Sequence, residues 1–174
     1  MSTAAIAFQS PLHQALCEAL DDEYKARATY YAVIRAFGPV LPFANIIQSE
    51  QRHINMLLGV LDQRGLAAID DPYGPDLPAP ASLEEAYRAG VDAEIENVAL
   101  YDRLLAAAEG DETVRWVFRS LQRASQECHL PAFQRFLDGG AEGGAGGCGG
   151  GHRHQPGEGG GGCGCGGHRR QSAE

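Results

Sequence analysis

The sequence has little positive charge and no long apolar run, and each shortage excludes a class of protein. Its 174 residues contain 14 Lys and Arg against 23 Asp and Glu, a formal net charge of -9. An acidic chain repels nucleic acid and anionic membrane surfaces, so we expect neither as a partner. No segment approaches the ~20 apolar residues of a membrane span, and the N-terminus "MSTAAIAFQS" has no basic n-region. These absences predict a soluble, cytoplasmic protein.

Cysteine and glycine are both scarce until the chain nears its end. The five cysteines are too few and too unevenly spaced for a disulfide framework, which leaves metal or redox ligation as their interest. Six glycines precede residue 139, whereas 17 of the last 36 residues are glycine. We therefore predict a folded domain over residues 1–138 and a flexible, disordered Gly/Cys/His-rich tail over residues 139–174.

Apolar side chains recur with a 3.6-residue period in four segments, which predicts four helices. The first runs from Pro11 to Phe37, the second from about Pro42 to Gln63, the third from a Ser82–Glu85 capping box to Gly110, and the fourth from there to Gly139. Residues 65–82 are rich in proline and glycine and could stretch roughly 55 to 60 Å, more than the ~33 Å of a 22-residue helix. The prediction is an all-α four-helix bundle with a long crossover between helices two and three.

The two predicted helix pairs repeat each other. Glu23 and Tyr30 in the first helix have the same spacing as Glu94 and Tyr101 in the third. "SEQRH" at residues 49–53 matches "SQECH" at residues 125–129 in the fourth helix. A tandem duplication would give this pattern. We expect both tyrosines to pack in the core and to donate one hydrogen bond each.

The repeated polar residues have the pattern of a dinuclear metal site. Such sites in bundles take one Glu from each of two helices and a Glu-x-x-His from each of the other two. In the fourth helix Gln126 stands in place of that Glu, and Glu127 lies ~200° from His129 and faces outward. The predicted ligands are Glu23, Glu50, His53, Glu94 and His129, with Gln126 as a further, weaker donor. Carboxylate oxygens and imidazole nitrogens suit two iron or manganese ions, and they do not exclude zinc.

A metal-free bundle is the alternative interpretation of the same residues. Arg27 lies one turn after Glu23 and could form a buried ion pair with Glu50. Helix rise also places Glu23 roughly 21 Å above the first turn and Glu50 only about 12 Å above it. Pro131 removes a backbone donor inside the fourth helix, so we expect a kink beside His129.

Several stretches resemble the ferritin-like superfamily, and within it the group called domain of unknown function 2202. They are "EYKARATYY", "FANIIQSEQRHINMLLGVLDQRG", "AGVDAEIENVALYDRLL" and "CHLPAF", which together cover most of residues 16–137. The resemblance implies a ferritin-like four-helix bundle with a metal centre at Glu23, Glu50, His53, Glu94 and His129. The chain differs from fuller ferritin-like sites at Gln126. Analogy with such bundles also suggests a homodimer.

The tail offers a second set of metal ligands, and with it a second function. They are Cys148, His152, His154, Cys163, Cys165 and His168, which suit zinc, nickel or copper but match no closed zinc motif. The tail is either a solubilising linker or a loose metal-capture segment. The functional hypotheses are accordingly a dimetal oxidoreductase acting on dioxygen or peroxide, a non-enzymatic metal storage or delivery protein, and a metal-free structural bundle.

Overall fold

The structure is a computed structural model that describes residues 7–139. Within that range the chain is helical, with no β-strand. The elements are α1 (Pro11–Phe37), α2 (Phe43–Gln63), α3 (Leu83–Ala107), α4 (Glu112–Ala124), a π-helical turn (Ser125–His129) and α5 (Leu130–Leu137). Because α4, the π turn and α5 follow one another without a break, they form a single rod, and the fold is a four-helix bundle. The helices of residues 7–139 are too polar or too short to cross a membrane.

Local sequence signals fix the ends of the helices. The hydroxyl of Ser82 accepts a hydrogen bond from the Glu85 amide at 3.1 Å, which confirms the predicted cap at the start of α3. Asp111 caps α4 by accepting from the Val114 amide at 3.0 Å. At the end of α1, Gly38 adopts φ +83°, a conformation that side chains disfavour. The short connections 38–42 and 108–111 therefore join antiparallel helices.

The crossover between α2 and α3 runs along the outside of α1. Contacts tie it to four levels of that helix: His13 Nε2 to the Ala67 carbonyl at 2.8 Å, Asp21 to Tyr73 at 3.2 Å, Arg27 to Asp71 at 2.5 Å, and Arg35 to the Leu77 carbonyl at 2.9 Å. The contacts begin near the start of α1 and end near its last turn. The segment thus returns along the length of the bundle, as its length predicted.

The core consists of two apolar clusters with a polar layer between them. The first contains Leu16, Leu20, Leu57, Leu61, Leu104, Phe118 and Leu121 among others. The second contains Tyr30, Val33, Phe43, Ile46, Ala86 and Phe133. Glu50 and His53 on α2, Glu94 on α3 and His129 on the fourth rod fall between the positions that build these two clusters, and Glu23 lies at the inner edge of the first cluster on α1. The polar layer is consequently enclosed by hydrocarbon at both ends.

Candidate metal centre

Glu50 lies at the middle of the polar layer and contacts both buried imidazoles. Its Oε2 is 2.9 Å from Nδ1 of His53, and its Oε1 is 3.2 Å from Nδ1 of His129. The two imidazole rings face each other with centroids 5.7 Å apart. One carboxylate on α2 therefore bridges the two helix pairs.

Two groups of three possible ligands share this carboxylate. Glu23, Glu50 and His53 form the first triad, and Glu50, Glu94 and His129 form the second. Within each triad, one donor atom from every residue lies within 4.8 Å of the others, and all five side chains are buried. The structure thus brings together five of the six residues predicted from the sequence. Each triad offers two carboxylates and one imidazole.

The donor set fits divalent cations in both its chemistry and its alignment. Carboxylate oxygen and imidazole nitrogen are preferred by iron, manganese and zinc. Nδ1 of His129 lies 3.2 Å from Glu50 and 3.5 Å from Glu94, but neither contact has hydrogen-bond geometry, so among residues 7–139 this buried nitrogen has no hydrogen-bond partner. A buried polar atom without a partner is costly. A cation between the acids and the imidazole would satisfy it.

Two buried tyrosines hold the outer carboxylates, and each does so across the repeat. Tyr101 of α3 donates to Glu23 Oε1 of α1 at 2.8 Å. Tyr30 of α1 donates to Glu94 Oε1 of α3 at 2.7 Å. Both tyrosines are fully buried, as predicted. Each fixes one carboxylate oxygen and leaves the other oxygen facing the centre.

The buried acids and imidazoles of the centre shift one another's pKa values. Burial opposes ionisation of both acids and imidazoles, but the neighbouring charges alter the outcome. Burial raises the pKa of the Glu23 carboxyl to about 8, even though His53 favours its ionised form. Contacts with His129 and His53 overcome burial at Glu50 and bring its pKa well below the usual range. Glu23 and Glu50 together raise the pKa of His53 to about 10, against the effect of burial. At neutral pH the metal-free centre therefore holds protons that a cation would have to displace.

The Arg27–Glu50 ion pair of the metal-free interpretation does not form. Arg27 turns outward and binds Asp71 of the crossover and the side-chain oxygen of Gln51, both at 2.5 Å. The predicted difference in level between Glu23 and Glu50 does not keep these two acids apart. Nδ1 of His53 contacts both of them, Glu23 at 3.1 Å and Glu50 at 2.9 Å. The basic groups in contact with Glu50 are instead the imidazoles of His53 and His129.

Gln126 does not join the other predicted ligands, because its side chain is exposed. The prediction placed it inward by α-helical spacing from His129. In the π turn the Leu130 amide bonds to the Ser125 carbonyl, five residues earlier, so each residue advances less around the axis. In such a turn, residues four apart lie on the same face and residues three apart do not. Ser125, four residues before His129, therefore takes the inward position instead of Gln126. The wide turn precedes Pro131, whose ring would clash with the Glu127 carbonyl in a regular helix.

Ser125 belongs to a polar chain that the sequence did not reveal. Its hydroxyl donates to Asn97 Oδ1 at 2.8 Å, and Asn97 Nδ2 donates to Asp22 Oδ2 at 2.7 Å. Burial raises the pKa of the Asp22 carboxyl, and the Asn97 amide opposes this. Pro131 was the available signal, since a proline inside a helix indicates an altered turn on its N-terminal side.

Comparison with known proteins adds the fold and no activity. No family model matches the chain, and no curated protein matches it. Its fold is similar to that of a hypothetical protein from Methanococcus jannaschii, with a TM-score of 0.67, 19% identity, and coverage of 80% of this chain and 86% of the other. It is also similar to a conserved hypothetical protein from Mycobacterium tuberculosis, with a TM-score of 0.63, 22% identity, and coverage of 76% and 94%.

Two sequence predictions fall on residues 140–174, which lie outside the described part of the chain. They are the disordered tail and the capture of zinc, nickel or copper by its cysteines and histidines. Both stay predictions.

Proposed function

We propose that the protein is a ferritin-like dimetal protein of the domain of unknown function 2202 group, binding two iron or manganese ions in its core. The observation that carries the proposal is the pair of buried triads sharing Glu50. Three carboxylates supply three negative charges against the four positive charges of two divalent ions, and one further anionic ligand would complete neutrality.

The proposed activity is oxidoreduction of dioxygen or peroxide. When bound, two iron or manganese ions would supply the redox chemistry. The chain would supply the rest: Tyr101 and Tyr30 orient the outer carboxylates, and the two apolar clusters keep bulk water from the ends of the site. Protons displaced from His53 and His129 would be available inside the same enclosed layer.

Metal analysis of untagged, full-length protein tests the proposal. After loading with Mn²⁺ or anaerobic Fe²⁺ and desalting, wild-type protein should carry two more ions per chain than a Glu50→Ala/His53→Ala variant. Ions held by residues 140–174 are common to both proteins and cancel in the difference. Equal metal content in a variant that remains helical would end the proposal.

A metal-free bundle is the second candidate, and one observation favours it. His53 already makes hydrogen-bond contacts with both Glu23 and Glu50, so protonated imidazoles partly neutralise the acids by themselves. In that case a chelator would leave the melting temperature of the purified protein unchanged. On the metal-binding proposal, chelation lowers the melting temperature, because an ion bound only to the folded state stabilises it by mass action.

Storage or delivery of metal is a further candidate, in which the cysteines and histidines of the tail would capture the ions. Deletion of residues 139–174 separates it from the oxidoreductase. Turnover of dioxygen or peroxide that persists without the tail supports the enzyme, whereas loss of binding capacity alone supports metal handling.

A further inference from the structure

A narrow cavity leads from the surface between α1 and α3 to the polar layer. Its volume is about 50 Å³. Exposed Lys25 and Glu96 stand at its outer end, while the buried carboxylates of Glu50 and Glu94 lie at its inner end. Of the five ligand candidates, Glu50 and Glu94 line it, whereas Glu23, His53 and His129 do not. The cavity thus approaches the triad of Glu50, Glu94 and His129.

The polar chain described above forms the wall of this cavity. Asp22, Asn97 and Ser125 all line it, and their side chains are linked by the two hydrogen bonds between them. The π turn is what brings Ser125 to this wall. In the repeat, residues 125–129 correspond to residues 49–53 of α2, where Glu50 points into the interior. Ser125 and the rest of the wall therefore lie where the repeat would predict a second shared carboxylate.

We propose that this cavity is the route by which divalent cations enter, and that Asp22 is the binding station on the way to the second triad. The inference rests on the proposed metal-binding function. Behind the carboxylates at the inner end, Nδ1 of His129 lies 3.2 Å from Glu50 and 3.5 Å from Glu94 without making a hydrogen bond, which marks that end as the destination.

The size of the cavity determines how an ion passes. On the scale of this cavity volume a water molecule needs about 10 to 15 Å³, so about 50 Å³ holds a few waters and not an ion with a complete hydration shell. An entering ion must exchange waters for protein oxygens. Asp22, Asn97 and Ser125 provide a carboxylate, an amide and a hydroxyl oxygen along the wall.

The charges at the opening favour cations over anions. Asp22 and Glu96 outnumber Lys25, the acids at the inner end add to the negative potential, and the chain as a whole carries -9. Lys25 opposes entry and should slow it. Lys25→Glu would replace repulsion by attraction for a divalent ion about 8 Å away in water. At low ionic strength this change should accelerate uptake at least about 5-fold. Added salt should reduce this factor.

Stopped-flow uptake of Co²⁺ by the full-length protein tests the route. Weak visible absorption reports ions bound by oxygen and nitrogen, and intense near-ultraviolet absorption reports any ions bound by cysteine thiolates. We expect Lys25→Glu to take up Co²⁺ at least about 5-fold faster than wild type, and Asp22→Asn to take it up several-fold more slowly. Arg119→Glu carries the same charge change at another exposed position and should leave the rate unchanged.

A steric variant gives a second readout. Ala93→Leu fills part of the cavity and should slow uptake by about 10-fold or more, with the final amount of bound Co²⁺ unchanged; Ala99→Leu, on an exposed face of the same helix, is its control. If Ala93→Leu slows Co²⁺ uptake but neither Lys25→Glu nor Asp22→Asn changes its rate, the cation route is overturned. Unchanged rates in all three cavity variants would overturn it as well, while leaving the metal site intact. No oxygen- and nitrogen-bound Co²⁺ in wild type would overturn both proposals.

Discussion

Glu50→Gln should remove both ions at once, because this residue alone belongs to both triads. Gln keeps the shape of the side chain and loses the charge. The change takes one of two carboxylates from each triad, whereas Glu94→Gln affects the second triad only. On the dimetal proposal, wild type binds two ions in the bundle, Glu94→Gln binds one and Glu50→Gln binds none.

The same substitution should destabilise the metal-free protein. Glu50 is 3% exposed, and its oxygens lie 2.9 and 3.2 Å from two imidazoles that its charge keeps protonated. Removing one partner of a buried ion pair costs about 3 to 5 kcal/mol. For a domain of this size the melting temperature should fall by about 10 to 15 °C. Metal would not restore it, although it should raise the melting temperature of the wild type.

Two measurements check this reasoning on full-length protein. Elemental analysis after loading gives the number of ions, and thermal unfolding with and without chelator gives the stability. Glu84→Gln, whose side chain is 69% exposed, is the matched control and should behave as wild type in both. Two ions in Glu50→Gln, or equal losses in Glu50→Gln and Glu94→Gln, would refute the assignment of Glu50 as the shared ligand.

Three further predictions concern packing, pH and the tyrosines. A Cβ at Gly90 would lie 2.7 Å from the Phe133 ring, so Gly90→Ala should lower the free energy of unfolding by about 1 to 3 kcal/mol in urea titrations, while Gly59→Ala, with open space around it, should not lower it. The pKa of His53 is raised from 6.5 to about 10, so the protonated imidazole stabilises the fold fully below pH 6.5, and this contribution is lost as pH rises through 10. Metal-free protein should therefore be less stable at pH 9.5 than at pH 6.5. Equal urea midpoints at the two pH values would contradict this. Tyr101→Phe frees one carboxylate oxygen of the first triad, and competition with a chelator should show about 10-fold weaker binding of one ion, with the other ion unaffected. Weakening of both ions equally would point to general destabilisation instead.

The helices and most of the site could be predicted from the sequence because both depend on local spacing. The predicted bounds of the first two helices agree with α1 and α2 to within one residue at each end, since glycine, proline and an apolar period define them. Glu23, Glu50, His53 and Glu94 followed from the Glu and Glu-x-x-His spacing, which in regular helices fixes the face on which a side chain lies, and His129 followed from its match with His53 in the repeat.

The errors arose where spacing is not regular or where a partner is distant in the chain. Gln126 was placed inward by α-helical geometry, and the π turn instead gives that position to Ser125. The metal-free interpretation paired Arg27 with Glu50 by its level along the bundle, but Asp71, 44 residues away on the crossover, binds it from outside. Pairing with a connecting segment depends on the path of that segment, and no periodic pattern encodes it.

The exchange of tyrosines between the repeats ties the two halves of the molecule to each other. A fragment ending in the crossover would keep Glu23 and lose the phenol that orients it, while the complementary fragment would keep that phenol and lose its acid. Neither hairpin on its own could arrange its carboxylates, but two copies of one ancestral hairpin, associated about a twofold axis, could do so reciprocally. On the duplication hypothesis, fusion into one chain would allow one copy to lose its central acid while the other copy kept it.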